Sequence, residues 1–177
     1  MERYSEVLGL PVICIEDGKK VGVVKNIIFC PKKKRLLAFL LECRSYELNK
    51  KVVLAEDIIN LGTDAVIIND MSSLKNLRKT KNADDFIDKG EVIGLRVYSK
   101  AGKDVGIVKD VVFDYKSCTI EGVEISDGLI QDLVKGRNVL PLLGKVEFGA
   151  DIILVDNEAV EEMTETGRGL KNIIDDI

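Results

Sequence analysis

Gly18-Lys-Lys-Val-Gly22-Val-Val-Lys-Asn-Ile-Ile-Phe29 returns 84 residues later as Gly102-Lys-Asp-Val-Gly106-Ile-Val-Lys-Asp-Val-Val-Phe113. Around this block the echo continues. Gly9-Leu10 recurs as Gly94-Leu95, and Gly62-Thr-Asp64-Ala-Val-Ile-Ile68 is matched by Gly149-Ala-Asp151-Ile-Ile-Leu-Val155 at a displacement of 87. The change from 84 to 87 places a three-residue insertion between Ser126 and Asn138. Solenoid repeats have periods of roughly 20 to 50 residues, so this longer one reads as the duplication of a small domain.

Each copy reads as short strands joined by turns. Val12 and Cys14 alternate with Ile13 and Ile15 ahead of Asp17-Gly18, a dipeptide suited to the positive φ of a tight hairpin. The chain holds 20 Val and 19 Ile, whose branched side chains fit a pleated, half-buried surface better than a helix. The pattern predicts further strands at Leu36 to Leu41, Lys51 to Leu54 and Ala65 to Ile68, repeated at Ile120 to Ile125, Asn138 to Leu140 and Ile152 to Val155. Five or six such strands close most naturally into a small barrel, which removes exposed edges. The expected fold is therefore mainly β: a first barrel over 1–71, a connector over 72–89 with a helical turn or two, a second barrel over 90–163 and a tail over 164–177. Leu129 to Val134, inside the insertion, has the length of a short helix stopped by Gly136, and Gly167-Arg-Gly169 reads as a flexible joint.

The repeated Gly-x-x-x-Gly-x-Val-x-(Asp/Asn)-x-x-Phe block, with its following strands and the Gly-x-Asp ending, resembles the PRC-barrel family over about residues 5 to 70 and 91 to 157. That family takes its name from the cytoplasmic domain of a photosynthetic reaction-centre subunit and includes the C-terminal domain of a ribosome maturation factor. The resemblance implies two tandem, mostly non-enzymatic barrels of bacterial or archaeal type that dock on protein or ribonucleoprotein assemblies. It implies no catalytic residue and no cofactor.

Composition narrows the chemistry. The 177 residues include 46% hydrophobics, enough for a core, and 26 basic against 30 acidic residues give a net charge of -4, too balanced to name a partner. There is no His, which removes Ser/His/Asp triads, Cys/His pairs and imidazole metal sites. With no Trp and 5% aromatics, few platforms exist for stacking single-stranded nucleic acid. Cys14, Cys30, Cys43 and Cys118 form no C-x-x-C pair and read as buried free thiols. No apolar run approaches the roughly 18 residues of a membrane span, and no leader pattern opens the chain, so the expected location is the cytoplasm without membrane insertion.

Three sets of residues are candidates for function. Lys32, Lys33, Lys34 and Arg35 project from one hairpin loop, where an acidic partner or a phosphate could meet them, although a solvated turn explains them too. The second copy has Tyr115-Lys116-Ser-Cys there and does not repeat the charge. Residues 1–88 carry 15 basic and 13 acidic groups (+2) and residues 89–177 carry 11 and 17 (-6), so an anionic partner should touch the first copy. Leu170, Ile173, Ile174 and Ile177 fall at i, i+3, i+4, i+7, the stripe of an amphipathic helix that folds back onto the barrels or docks on a partner or a second copy of the chain. Asp110 and Asp114, four residues apart along one strand, form a possible acidic site for a cation or for acid/base work, and their counterparts in the first copy are Asn26 and Cys30. Gly18-x-x-x-Gly22 and its twin lack the Lys-Ser/Thr of a phosphate loop, and hairpin geometry accounts for them. The leading expectation is a non-catalytic adaptor or assembly module with a protein partner. An RNA or ribosome-assembly factor and a metal- or carboxylate-dependent protein stand as alternatives.

Overall fold

The computed structural model describes residues 1–30, 33–43, 51–76, 92–127, 137–142, 146–149 and 151–165. The chain divides into two compact units: Met1–Lys89 together with Phe113–Thr119, and Gly90–Val112 together with Ile120–Ile177.

In order, the elements are β1 (Glu2–Arg3), the single-turn α1 (Tyr4–Val7), β2 (Pro11–Cys14), β3 (Lys20–Cys30), β4 (Arg35–Glu42), β5 (Lys51–Leu54), β6 (Ile58–Leu61), β7 (Val66–Ile68) and β8 (Leu74–Asn76), then β9 (Arg96–Ser99), β10 (Asp104–Asp114), β11 (Thr119–Ser126), β12 (Asn138–Pro141), β13 (Glu147–Phe148), β14 (Ile152–Val155), α2 (Asn157–Glu161) and β15 (Thr164–Glu165). Strands of the first copy pair in the order β6-β7-β2-β3-β4-β5-β8, and those of the second in the order β13-β14-β9-β10-β11-β12-β15. The two orders are the same, strand for strand. The parallel pairs also correspond, β2 with β7 and β9 with β14. The duplication read from sequence thus extends to topology.

The block that reveals the repeat builds the longest hairpin of each copy. In β3 the register shifts between Val24 and Asn26, so the buried face passes from Val24 to Ile27 while Lys25 and Asn26 are exposed. Such a bulge puts two residues opposite one and bends the strand. Gly22 serves a different purpose from a turn. A Cβ there would stand 2.8 Å from the Glu42 carbonyl oxygen and 3.1 Å from Cys43 Sγ. Its twin Gly106 meets Ser126 and Ile125 at closer range and also has φ +131°. The first glycines of the motif, Gly18 and Gly102, are the turn residues, at φ +64° and +81°. Hairpin geometry therefore accounts for half of the motif and close strand approach for the rest.

The core of the first unit gathers Val12, Val24, Leu36, Phe39, Leu41, Val53, Val66 and Ile68, and with them Phe113, Tyr115 and Cys118. Phe113 meets Phe39 edge to face, ring centroids 6.4 Å apart at 72°. In the second unit Val97, Val108, Val111, Val123, Ile125, Leu140 and Ile153 are buried.

One expectation needs correction, and three details add to the expected layout. The strands do not close: among the described residues no pairing joins β8 to β6 or β15 to β13. The outer strands are instead kept short, and β6 is bulged between Ile58 and Asn60, two devices that blunt an edge without closure. Thr164 and Glu165 begin the tail as a strand, because β12 offers them an edge, with Val139 opposite Thr164 and Asn138 opposite Glu165. The connector starts with a 3-10 turn at Met71–Ser73, capped by Asp70 through its Oδ1 accepting from the Ser72 amide (2.7 Å), and then contributes β8 to β5. Residues 113–119, assigned by sequence to the second barrel, cluster with the first unit. The remaining connector residues, the Leu129–Val134 segment and residues 166–177 lie outside the described residues. No helix among the described residues is long and apolar enough to cross a membrane.

A candidate binding surface at two paired turns

The turn between β3 and β4 and the turn between β10 and β11 occupy equivalent places in the repeat, and among the described residues each contains one non-glycine residue in the left-handed region: Lys34 at φ +51° and Cys118 at φ +55°. Positive φ brings Cβ close to the backbone and costs an ordinary L-residue about 1–2 kcal/mol. In the first unit these turns lie side by side. Arg35 and Thr119 pair antiparallel, and the Leu36 amide donates to the Cys118 carbonyl at 3.0 Å.

The second turn is held from three directions. Its Tyr115 hydroxyl bonds Asn60 Oδ1 at 3.0 Å, the Lys116 amide donates to Asp114 Oδ1 at 2.9 Å, and the buried Cys118 Sγ donates to the Tyr115 carbonyl at 3.3 Å. The Lys116 amide is the chief cause holding the Asp114 carboxyl below its ordinary range. Burial pushes the Cys118 thiol up, and the Arg35 guanidinium is the main opposing influence. Strand pairing thus places Arg35 next to the second turn.

Of the predicted basic residues, Lys33 and Arg35 are exposed and Lys34 is half-exposed, while Lys32 lies outside the described residues. The structure adds exposed Lys116 and Ser117, with Ser117 Oγ 2.7 Å from Thr119 Oγ1. In the sequence the second turn, Tyr115-Lys116-Ser-Cys, shows only that the charge is not repeated. The displacement of 84 already carried the missing signal, since it makes the two turns structural equivalents.

Asp110 and Asp114 belong to different units and hold local backbone groups. Asp110 is 2% exposed and its Oδ1 accepts from the Val111 amide at 2.8 Å. Asn26 does the same for the Ile27 amide, also at 2.8 Å. A side-chain oxygen at this position therefore serves the bulge in both copies, whichever residue type supplies it. Among the described residues no three His, Cys, Asp or Glu side chains converge as metal ligands. All four cysteines are free and buried. Leu170, Ile173 and Ile174 fall outside the described residues.

A second feature of the first unit is an open cavity of about 530 Å³ lined by Lys20, Val21, Gly22 and Val23 of β3 and by Glu42 and Cys43. Burial pushes the Cys43 thiol up, so it sits there in its protonated form at neutral pH.

Two equivalent small β units in tandem define a duplicated-domain protein. A family model for the PRC-barrel domain matches residues 1–75 and 84–161, and the chain belongs to that family in two tandem copies. No curated protein matches the chain.

Proposed function

We propose that this protein is a cytoplasmic, non-catalytic module that binds a protein partner, as an adaptor or in an assembly, through the turn containing Lys32, Lys33, Lys34 and Arg35. The observation that carries the reading is the pairing of that turn with the 115–118 turn through Arg35 and Thr119, with Lys33, Arg35 and Lys116 exposed. Membership of a family whose members generally lack enzymatic activity supports it, and so do four free, buried thiols, the state expected of cysteines in a reducing compartment. The apolar stripe of Leu170, Ile173 and Ile174 is a second proposed contact, toward a partner or a second copy.

The test is affinity capture from the native cell with three chains: wild type, a variant with Lys32, Lys33, Lys34 and Arg35 all changed to Ser, and one ending at residue 165. Loss of a specific protein from the Ser variant supports the reading; identical recoveries from all three chains overturn it. The same cations favour one rival, binding to RNA within a ribonucleoprotein. That rival requires affinity for ribosomal particles that falls steeply with salt, because each neutralised phosphate releases counterions.

A further inference from the structure

We infer that the two paired turns form one binding site for a short acidic segment of a protein partner, held by Lys33, Lys34, Arg35 and Lys116. The inference rests on the protein-binding reading above and names the chemistry of its partner.

Lys34 provides the first argument. It occupies the left-handed region at φ +51°, where glycine would carry no steric penalty and Asn or Asp would be better tolerated than lysine. A backbone outlier that retains a long cation, where a smaller residue would relieve the strain, is the kind of observation from which function is properly inferred. The second argument is adjacency. The Arg35–Thr119 pair and the bond from the Leu36 amide to the Cys118 carbonyl bring the second turn against the first, so Lys116 joins the three cations of the 33–35 stretch. Ser117 and Thr119 add hydroxyl donors, with their oxygens 2.7 Å apart. Carboxylates presented to lysines, an arginine and hydroxyls gain charge-assisted hydrogen bonds, the stronger kind.

The surroundings favour a short segment over a long polyanion. The Asp114 carboxylate, which accepts from the Lys116 amide at 2.9 Å, sets negative charge at the edge of the basic patch. The second half of the chain has 11 basic and 17 acidic residues, a net charge that disfavours a long polyanion. No aromatic residue among the described residues is fully exposed, which gives bases few platforms to stack on.

The test uses the full chain and two fluorescent probes of equal length, a deca-glutamate peptide and a ten-nucleotide oligouridylate, followed by anisotropy at low salt. The peptide should bind more tightly than the oligouridylate. Lys34→Gly should weaken peptide binding about tenfold while leaving the melting temperature equal or higher, since it removes strain and a cation together. Lys116→Ala should weaken binding several-fold, and Lys19→Ala, at the other end of β3 from the turns, should leave it unchanged. No peptide binding, tighter binding of the oligouridylate, or full affinity in Lys34→Gly would overturn the inference. A chain that ignores the peptide yet still captures a specific protein from the native cell defeats this inference and leaves the protein-binding reading intact; a chain that does neither defeats both.

Discussion

Gly22 and Gly106 occupy the same place in the two copies but are constrained differently. Both lie where a Cβ would press on the facing strand, and Gly106 also adopts φ +131°. Gly22→Ala should cost about 1–3 kcal/mol, the usual price of overpacking. Gly106→Ala should cost clearly more, because backbone strain adds to the overlap; urea denaturation of the two variants measures both values. Asn26 and Asp110 make the reverse comparison, with different side chains performing one task. Either residue changed to Ala should lose about 0.5–1.5 kcal/mol for its bond to the next amide, whereas Asp110→Asn should stay near wild type because Asn26 already makes that bond. A large loss of stability in Asp110→Asn would show that the charge itself matters. Titration adds a pH dependence with two limbs. Asp70 and Asp114 are held below their ordinary pKa, first by the Ser72 hydroxyl and the Lys116 amide respectively. Their contribution is complete above the unfolded Asp value of about 3.9 and is lost as pH falls through the folded values. Burial raises Cys43 and Cys118, so their contribution is complete below the unfolded thiol value of about 8.5 and is lost as pH rises through the folded values. Melting temperature should therefore hold a plateau between these limits, and Cys43→Ala should flatten the alkaline limb.

At the scale of elements, the two copies differ most in what they place on equivalent strands. Glu124 of β11 stands where β4 has Leu40, and it is 4% exposed, with Arg137 Nη1 at 3.6 Å across the ladder to β12. Arg137→Ala should destabilise the protein by about 1–3 kcal/mol, since it weakens the compensation of a buried carboxylate. Adding Glu124→Leu should recover most of that loss in thermal denaturation; a double variant less stable than Arg137→Ala alone would contradict this account of the pair. The strands carrying the repeat were legible in the sequence where period-two burial, β-branched residues and a turn glycine agreed, as in β2, whose burial alternates and which runs on to the Asp17-Gly18 turn. β6 was not legible: its burial runs buried, exposed, exposed, buried, since a bulge interrupts the alternation. The 164–165 strand could not be read because its partner edge, β12, lies more than 20 residues away, and local pattern holds no record of such pairing. The basic turn was visible as a run of cations, but its completion by Lys116 depends on strand pairing between the copies of the motif.

For the whole molecule, the repeat boundary in sequence and the unit boundary in space do not coincide. Phe113, Tyr115 and Cys118 are at most 7% exposed and contribute to the core of the first unit, although Phe113 ends the duplicated block of the second copy and the other two follow it directly. This arrangement also creates the paired turns, so the fold and the proposed binding surface depend on the same seven residues, Phe113–Thr119. Residues 1–89 expressed alone would leave Phe39 without its ring partner and should fold less stably than the same residues in the full chain. The decisive measurement is amide hydrogen exchange, residue by residue, in the full chain carrying Phe113→Ala, a change expected to cost about 3–5 kcal/mol. Protection should fall first in β3 and β4, at Val24, Phe39 and Leu41, with Val97, Leu140 and Ile153 less affected. Loss confined to β9, β12 and β14, with β3 and β4 as protected as in wild type, would contradict the account.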